Sequence, residues 1–184
     1  MSDGSTLPQT DIAIEGARMM LSGLNIDLDR PHLAGTPERM VAVYRELFSS
    51  PEFVATTFDN DSNYHGLVVV RDIPLRSVCE HHLLPFVGFA HIGYIVGDRL
   101  LGLSKIARVV EKFASQPQIQ ERLTAEIHNW FVRELAPRGV GVVLEAEHTC
   151  MTLRGARATG ASTRTSQFSG LLAEDGALRR EFVS

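Results

Sequence analysis

Two short stretches far apart in the chain constrain it most: Ser77-Val78-Cys79-Glu80-His81-His82-Leu83-Leu84-Pro85-Phe86 and Glu147-His148-Thr149-Cys150-Met151. Each contains one of the chain's two cysteines, and each cysteine lies within three residues of a histidine. Cys79 and His82 stand beside a turn, close enough to grip one ion from two sides. His148 and Cys150 are two apart in a β-like run, which predicts side chains on one face of a strand. Two thiols and three imidazoles suit zinc, with ligands to spare. A structural zinc takes four protein ligands, whereas a catalytic zinc keeps a position for water. If Cys79, His82 and Cys150 take the metal, His81 and His148 remain beside it for proton transfer. A disulfide, two unrelated buried thiols or ordinary core histidines are the bland alternatives. The pairing of both cysteines with histidines favours metal.

The 184 residues, 44% of them apolar, suffice for one compact domain with a small N-terminal appendage. No run of about 18 apolar residues is present, so no membrane span is expected. Met1 to Thr6 lacks a basic segment followed by an apolar one, and the few thiols suit a reducing compartment. The expectation is a cytoplasmic protein without a secretory signal. A net charge of −4 gives no general attraction to nucleic acid or anionic lipid, so any anion site must be local.

Along the chain, residues 1–9 read as a tail and Thr10 to Ser22 as a helix. Thr36-Pro37-Glu38 predicts a helix start with Thr36 as N-cap, running to about Phe48. Residues 51–65 read as irregular. From Gly66 the pattern turns β: Leu67 to Ile73, a short piece to Cys79, then Phe86 to Val96. Gly97-Asp98 predicts a hairpin into Arg99-Leu100-Leu101-Gly102. Ser104 and Pro117 are expected to start two helices, carrying Ile106, Val109, Val110 and Phe113, then Ile119, Leu123, Ile127, Trp130 and Phe131. Val140 to Leu153 is the longest β run expected, Thr163 to Ser169 a further strand, and Ala173 to Ser184 a short end with at most a helical turn. The fold class is α+β, an antiparallel sheet with a helix pair on one face. Residues 1–65 are expected to form an N-terminal tail and helical segment, and 66–184 the main, sheet-bearing domain. An uncovered sheet face and free edges predict subunit pairing.

Leu101 to Arg108 places Ser104, Lys105 and Arg108 over a strand-to-helix junction. This suits an anion, or equally a capped helix with solvated basic residues. Glu121, in Gln118-Ile119-Gln120-Glu121-Arg122, could simply favour the positive end of a helix. Arg154 follows Cys150 by four residues and could reach the metal cluster or lie at the surface.

Taken together, the chain from about Thr36 onward resembles GTP cyclohydrolase I. The resemblance is carried by Thr36-Pro37-Glu38-Arg39-Met40, Cys79-Glu80-His81-His82 with Pro85 and Gly88, and Gly102-Leu103-Ser104-Lys105 with Arg108. It continues in Gln118 to Arg122, His148-Thr149-Cys150 with Arg154-Gly155, and Thr163-Arg164-Thr165-Ser166. It implies Cys79, His82 and Cys150 as ligands of one zinc per subunit, and His81 and His148 as catalytic histidines. It implies Glu121 for the guanine ring with Gln120 beside it. Ser104, Lys105, Arg108 and Arg154 would lie around the ribose and triphosphate, and Arg39 would be a further triphosphate contact. Where the family often has a lysine three residues after that arginine, this chain has Ala42.

The implied reaction is zinc-dependent hydrolysis of GTP at guanine C8 with formate release. An Amadori rearrangement and ring closure then give 7,8-dihydroneopterin triphosphate, the entry to tetrahydrofolate and other pterins. The implied fold is the tunnelling fold, its sheets joined into a barrel in a homodecamer with active sites between subunits. A catalytically inactive zinc scaffold and a specialised paralogue are the competing readings. The scaffold would not need His81, His148 or Glu121, and all three are present.

Overall fold

The computed structural model describes residues 9–50, 52 and 54–184. The expected tail over residues 1–9 falls almost wholly outside them, and Gln9 already begins a helix. The chain divides after Ser49 into two compact units. The first holds α1 (Gln9–Gly23) and α2 (Thr36–Leu47), joined by an Arg18–Glu38 ion pair at 3.1 Å. Thr36 is not the N-cap. Gly35 is, and the Thr36 hydroxyl instead accepts from Arg39 Nη2 at 2.9 Å.

The second unit contains β1 (Thr57–Asp59), β2 (Leu67–Cys79), β3 (Pro85–Ile95), β4 (Arg99–Leu101) and α3 (Leu103–Ala114). There follow β5 (Pro117–Gln118), α4 (Gln120–Leu135), β6 (Gly139–His148), α5 (Thr149–Thr152), β7 (Thr163–Gly170), α6 (Leu171–Glu174) and α7 (Gly176–Val183). The sheet order is β5-β2-β3-β6-β7. It is mixed rather than purely antiparallel, because β5 pairs parallel to β2. Pro117 was expected to start a helix. It sits in an edge strand, where its missing N–H costs no ladder bond, and α4 begins only at Gln120.

Apolar alternation builds the core. Ala90, Ile92 and Tyr94 of β3 and Val140, Val142 and Leu144 of β6 meet α3 and α4 through Ile106, Val109, Val110, Leu123, Ile127 and Phe131. The opposite face is partly covered, unlike the bare face expected: Ile95 and Val143 pack with Leu172 of α6 and Phe182 of α7. Those two helices replace the short polar end, and Asp175 caps the second by accepting from Ala177 and Leu178 N–H.

Four further local expectations are not met. Residues 51–65 include β1, and β4 pairs with β1 instead of forming a hairpin with β3. Neither Gly97 nor Asp98 takes the positive φ that a two-residue hairpin turn needs. Asn60 bonds across the gap, its Nδ2 donating to Gly97 O at 2.9 Å. Ser104 does not cap α3, whose N-cap is Gly102. The longest strand is β2, with 13 residues, and it is bulged between Val70 and Ile73, where Asp72 has φ +54°.

α4 also presents His128, 4% exposed, with Nε2 2.9 Å from Ser169 Oγ of β7 and Nδ1 3.2 Å from Asn129 Oδ1. Burial holds its pKa below the ordinary 6.5, against the opposing Asn129 hydrogen bond. The unfolded chain therefore binds this proton at higher pH than the folded chain does. The stability that neutral His128 contributes is complete above about pH 6.5 and is lost as pH falls through the folded pKa. Urea midpoints of the chelated protein at pH 7.5 and 5.5 should fall less in His128→Gln than in the parent. An equal fall in both would remove His128 as a source of acid sensitivity.

Candidate active site

β2 ends at Cys79, and the chain returns as β3 from Pro85. Between them lies a tight turn in which Leu83 N donates to Cys79 O at 2.8 Å and Cys79 N to Leu84 O at 2.9 Å. Leu83 takes φ +52° to close it. The turn buries Cys79 and leaves His81 and His82 exposed.

β6 runs antiparallel to β3 and sets His148 opposite Phe86. Their rings stack with centroids 4.5 Å apart and planes 10° from parallel. The chain does not continue as a strand. Thr149 Oγ1 donates to Pro85 O, and Thr149–Thr152 form one helical turn. His148 and Cys150 therefore do not share a strand face, and the turn is what brings Cys150 to the cluster.

One donor atom each from Cys79, His82 and Cys150 lies within 4.8 Å of the others. Cys79 Sγ is 3.7 Å from His82 Nδ1. Zinc bonds of about 2.3 Å to sulfur and 2.0 Å to nitrogen at a tetrahedral angle would put those atoms about 3.5 Å apart. The donor set fits zinc in type and spacing and supplies three ligands. Burial, and then the adjacent Cys79 thiol, push the Cys150 thiol up, with Arg154 pulling weakly the other way. His81 Nδ1 is 3.8 Å from Cys79 Sγ.

The start of α4 borders this cluster. Gln120 is 1% exposed and its Oε1 lies 2.8 Å from His148 Nε2. Glu121, next along, is exposed, and its charge opposes the burial that lowers the His148 pKa. Ser104, Lys105 and Arg108 lie in the first turns of α3. Among the described residues no hydrogen bond or ion pair joins them to the cysteine–histidine cluster. Arg39 belongs to the first unit, where it also donates to His32 O at 3.1 Å.

Sequence reasoning missed a polar network behind the cluster. Arg122 donates to Glu80 Oε2, to Pro117 O and, through Nε at 2.8 Å, to Gln118 Oε1. Gln118, fully buried, donates in turn to Glu126 at 2.7 Å and Phe113 O at 3.0 Å. Glu80 N donates to Gln118 O at 3.0 Å, so the Cys79 turn is fastened to the start of α4. Two glutamines flanking one residue between a proline and a helix were the available signal.

The family model for GTP cyclohydrolase I matches residues 13–184. A relative from Hydrogenobaculum sp., named GTP cyclohydrolase 1, is 46% identical over 92% of this chain and 93% of its own length. Proteins of the same name from Mycobacteroides abscessus and Aquifex aeolicus are 50% and 44% identical. They align over 90% and 92% of this chain and 84% and 92% of their own lengths. By its sequence from residue 13 onward, this chain belongs to the GTP cyclohydrolase I family.

Proposed function

We propose that this protein is a GTP cyclohydrolase I. It hydrolyses GTP at guanine C8, releases formate, and rearranges and recloses the product to 7,8-dihydroneopterin triphosphate, the first step toward tetrahydrofolate. The supporting observation is the convergence of Cys79, His82 and Cys150 with His81 and His148 beside them, in a chain of this family.

Cys79, His82 and Cys150 would hold one zinc per subunit, supplying Lewis acidity toward water at neutral pH. Glu121 accepts from the guanine ring N–H and the exocyclic amine together, which places the base. His148 gives a proton to N7 as the imidazole ring of the base opens. His81, with Ser104, handles the proton at the ribose ring oxygen as the sugar opens. Lys105, Arg108, Arg154 and Arg39 supply positive charge to the triphosphate.

The active unit is proposed to be a homodecamer, with sheets joined into a barrel and sites between subunits. The apolar residues that one chain leaves exposed support this, among them Ile12, Met19, Leu24 and Val43 in the first unit and Val87 and Phe89 on the sheet. No helix among the described residues is long and apolar enough to cross a membrane, and a cytoplasmic location is proposed.

The test is anaerobic incubation of zinc-loaded protein with GTP, following formate and, after oxidation, pterin fluorescence. Formate and neopterin triphosphate should appear together and vanish on chelation or in His148→Ala. No product from a folded, zinc-loaded oligomer would refute the proposal. Formate without pterin would confine the activity to ring opening and overturn the roles given to His81 and Ser104.

A further inference from the structure

Gln120 was expected beside the substrate, yet its side-chain amide is committed inside the protein. Gln120 Nε2 faces three oxygens: Thr163 O at 2.9 Å, Thr165 Oγ1 at 3.1 Å and Leu144 O at 3.2 Å. Two of these are carbonyls, which cannot donate, so this end of the amide must be the NH2 group. The hydroxyls agree. Thr124 Oγ1 donates to Gln120 O at 2.8 Å, which uses its one proton. Thr165, 2.7 Å from Thr124 Oγ1, must then donate to Thr124 and be free to accept from Gln120. Flipping the amide would set its oxygen against two carbonyl oxygens at a site only 1% exposed, leaving buried polar atoms unpaired and in repulsion. The amide oxygen is therefore fixed toward His148 Nε2, 2.8 Å away, and an oxygen there can only accept.

We propose that Gln120 is a positioning residue that fixes neutral His148 as the Nε2–H tautomer and leaves Nδ1 as the nitrogen that exchanges a proton with the substrate. The Phe86 ring, stacked at 4.5 Å, holds the imidazole plane, so tautomer and orientation are set by separate neighbours. The same logic governs histidines whose second nitrogen is bonded to a fixed acceptor: the partner decides which nitrogen is basic. The catalytic meaning rests on the proposed function, but the tautomer does not. Nδ1 of the neutral ring first takes a proton from solvent, and the imidazolium so formed delivers that same proton from Nδ1 while Nε2–H stays bonded to Gln120. A loss of Gln120 would let both tautomers form and leave the ring free to turn about its stacking partner.

The direct test is solid-state nitrogen NMR of the zinc-loaded, histidine-labelled full-length protein without substrate, with His148 signals identified as those absent in His148→Gln. Above the imidazole titration, Nε2 should carry the proton and Nδ1 should not. A proton on Nδ1 would overturn the inference. Gln120→Met, close in volume but without the amide, should mix the two tautomers. It should also lower kcat by about 10–100-fold, the usual effect of losing an outer-shell orienting partner, with KM within about threefold. Unchanged kcat and an unchanged nitrogen pattern in a folded Gln120→Met would likewise overturn it. Should that variant not assemble, the parent spectrum alone decides. A parent Nε2–H pattern in protein that turns over no GTP would support the tautomer and refute the proposed function, so the two failures are distinguishable.

Discussion

Cys150→Ser is expected to lose both zinc and turnover while keeping the fold. The residue is only partly buried, in the single helical turn α5, and its thiol packs at the margin of the core. Serine removes little apolar surface there, so thermal stability of the chelated protein should change by no more than about 1 kcal/mol. The effect on the metal is of another order. Among the described residues three donors converge, and removing one leaves a thiol and an imidazole to hold an ion that prefers four-coordinate tetrahedral surroundings. Loss of an outer-shell partner of a metal ligand alone costs about 10–100-fold, so loss of a ligand should cost at least about 100-fold in zinc affinity and in formate release. Metal analysis after dialysis, with a formate assay on the same sample, checks both. In the metal-free parent, burial and the neighbouring Cys79 thiol favour protonated Cys150. Zinc uptake must therefore release protons, and affinity should fall as pH falls. A Cys150→Ser protein that retains stoichiometric zinc and activity would remove Cys150 from the ligand set.

The parts of the architecture legible in the sequence were those encoded by local chemistry. Cys79, His82 and Cys150 stood out because metal binding demands rare residue types at short spacing, and their donor atoms do converge. The stripes of α3 and α4 stood out because helical period and apolar burial coincide at Ile106, Val109, Leu123 and Ile127. What escaped depends on partners distant in sequence. β1 and β4 are three residues each and exist only as each other's ladder. Pro117 looks like a helix start until β2 is placed beside it. α5 interrupts an apparently continuous β run where Thr149 finds Pro85 O, a bond that no local pattern announces. Gln120 is the instructive case at the site. The family resemblance set it beside the substrate with Glu121, and only the ladder from β6 to β7 reveals the acceptors that its amide nitrogen also meets.

The largest loss of stability expected from a single methyl group lies at Gly88. The residue sits in β3 opposite Ala146 of β6, two positions along the ladder from the Phe86–His148 pair. A Cβ at Gly88 would fall on the Glu145 carbonyl oxygen, well inside van der Waals contact, and 2.6 Å from Ala146 Cα. Both obstacles are backbone in a central strand, so no rotamer change relieves them. At Gly93, by contrast, the nearest atoms belong to the Phe182 ring, which can shift. Overpacking a well-filled interior costs about 1–3 kcal/mol when side chains can adjust, and more when they cannot. Gly88→Ala should therefore cost about 3 kcal/mol or more, a Tm fall of about 10 °C for a chain of this size. Because β6 must move away from β3 to admit the methyl group, the damage should extend to His148 and Cys150, and zinc retention should fall with stability. Gly93→Ala should lower Tm far less and leave zinc in place. Equal effects of the two substitutions on Tm and zinc content would mean that β6 yields freely at Gly88, and that the β3–β6 ladder does not set the position of the site.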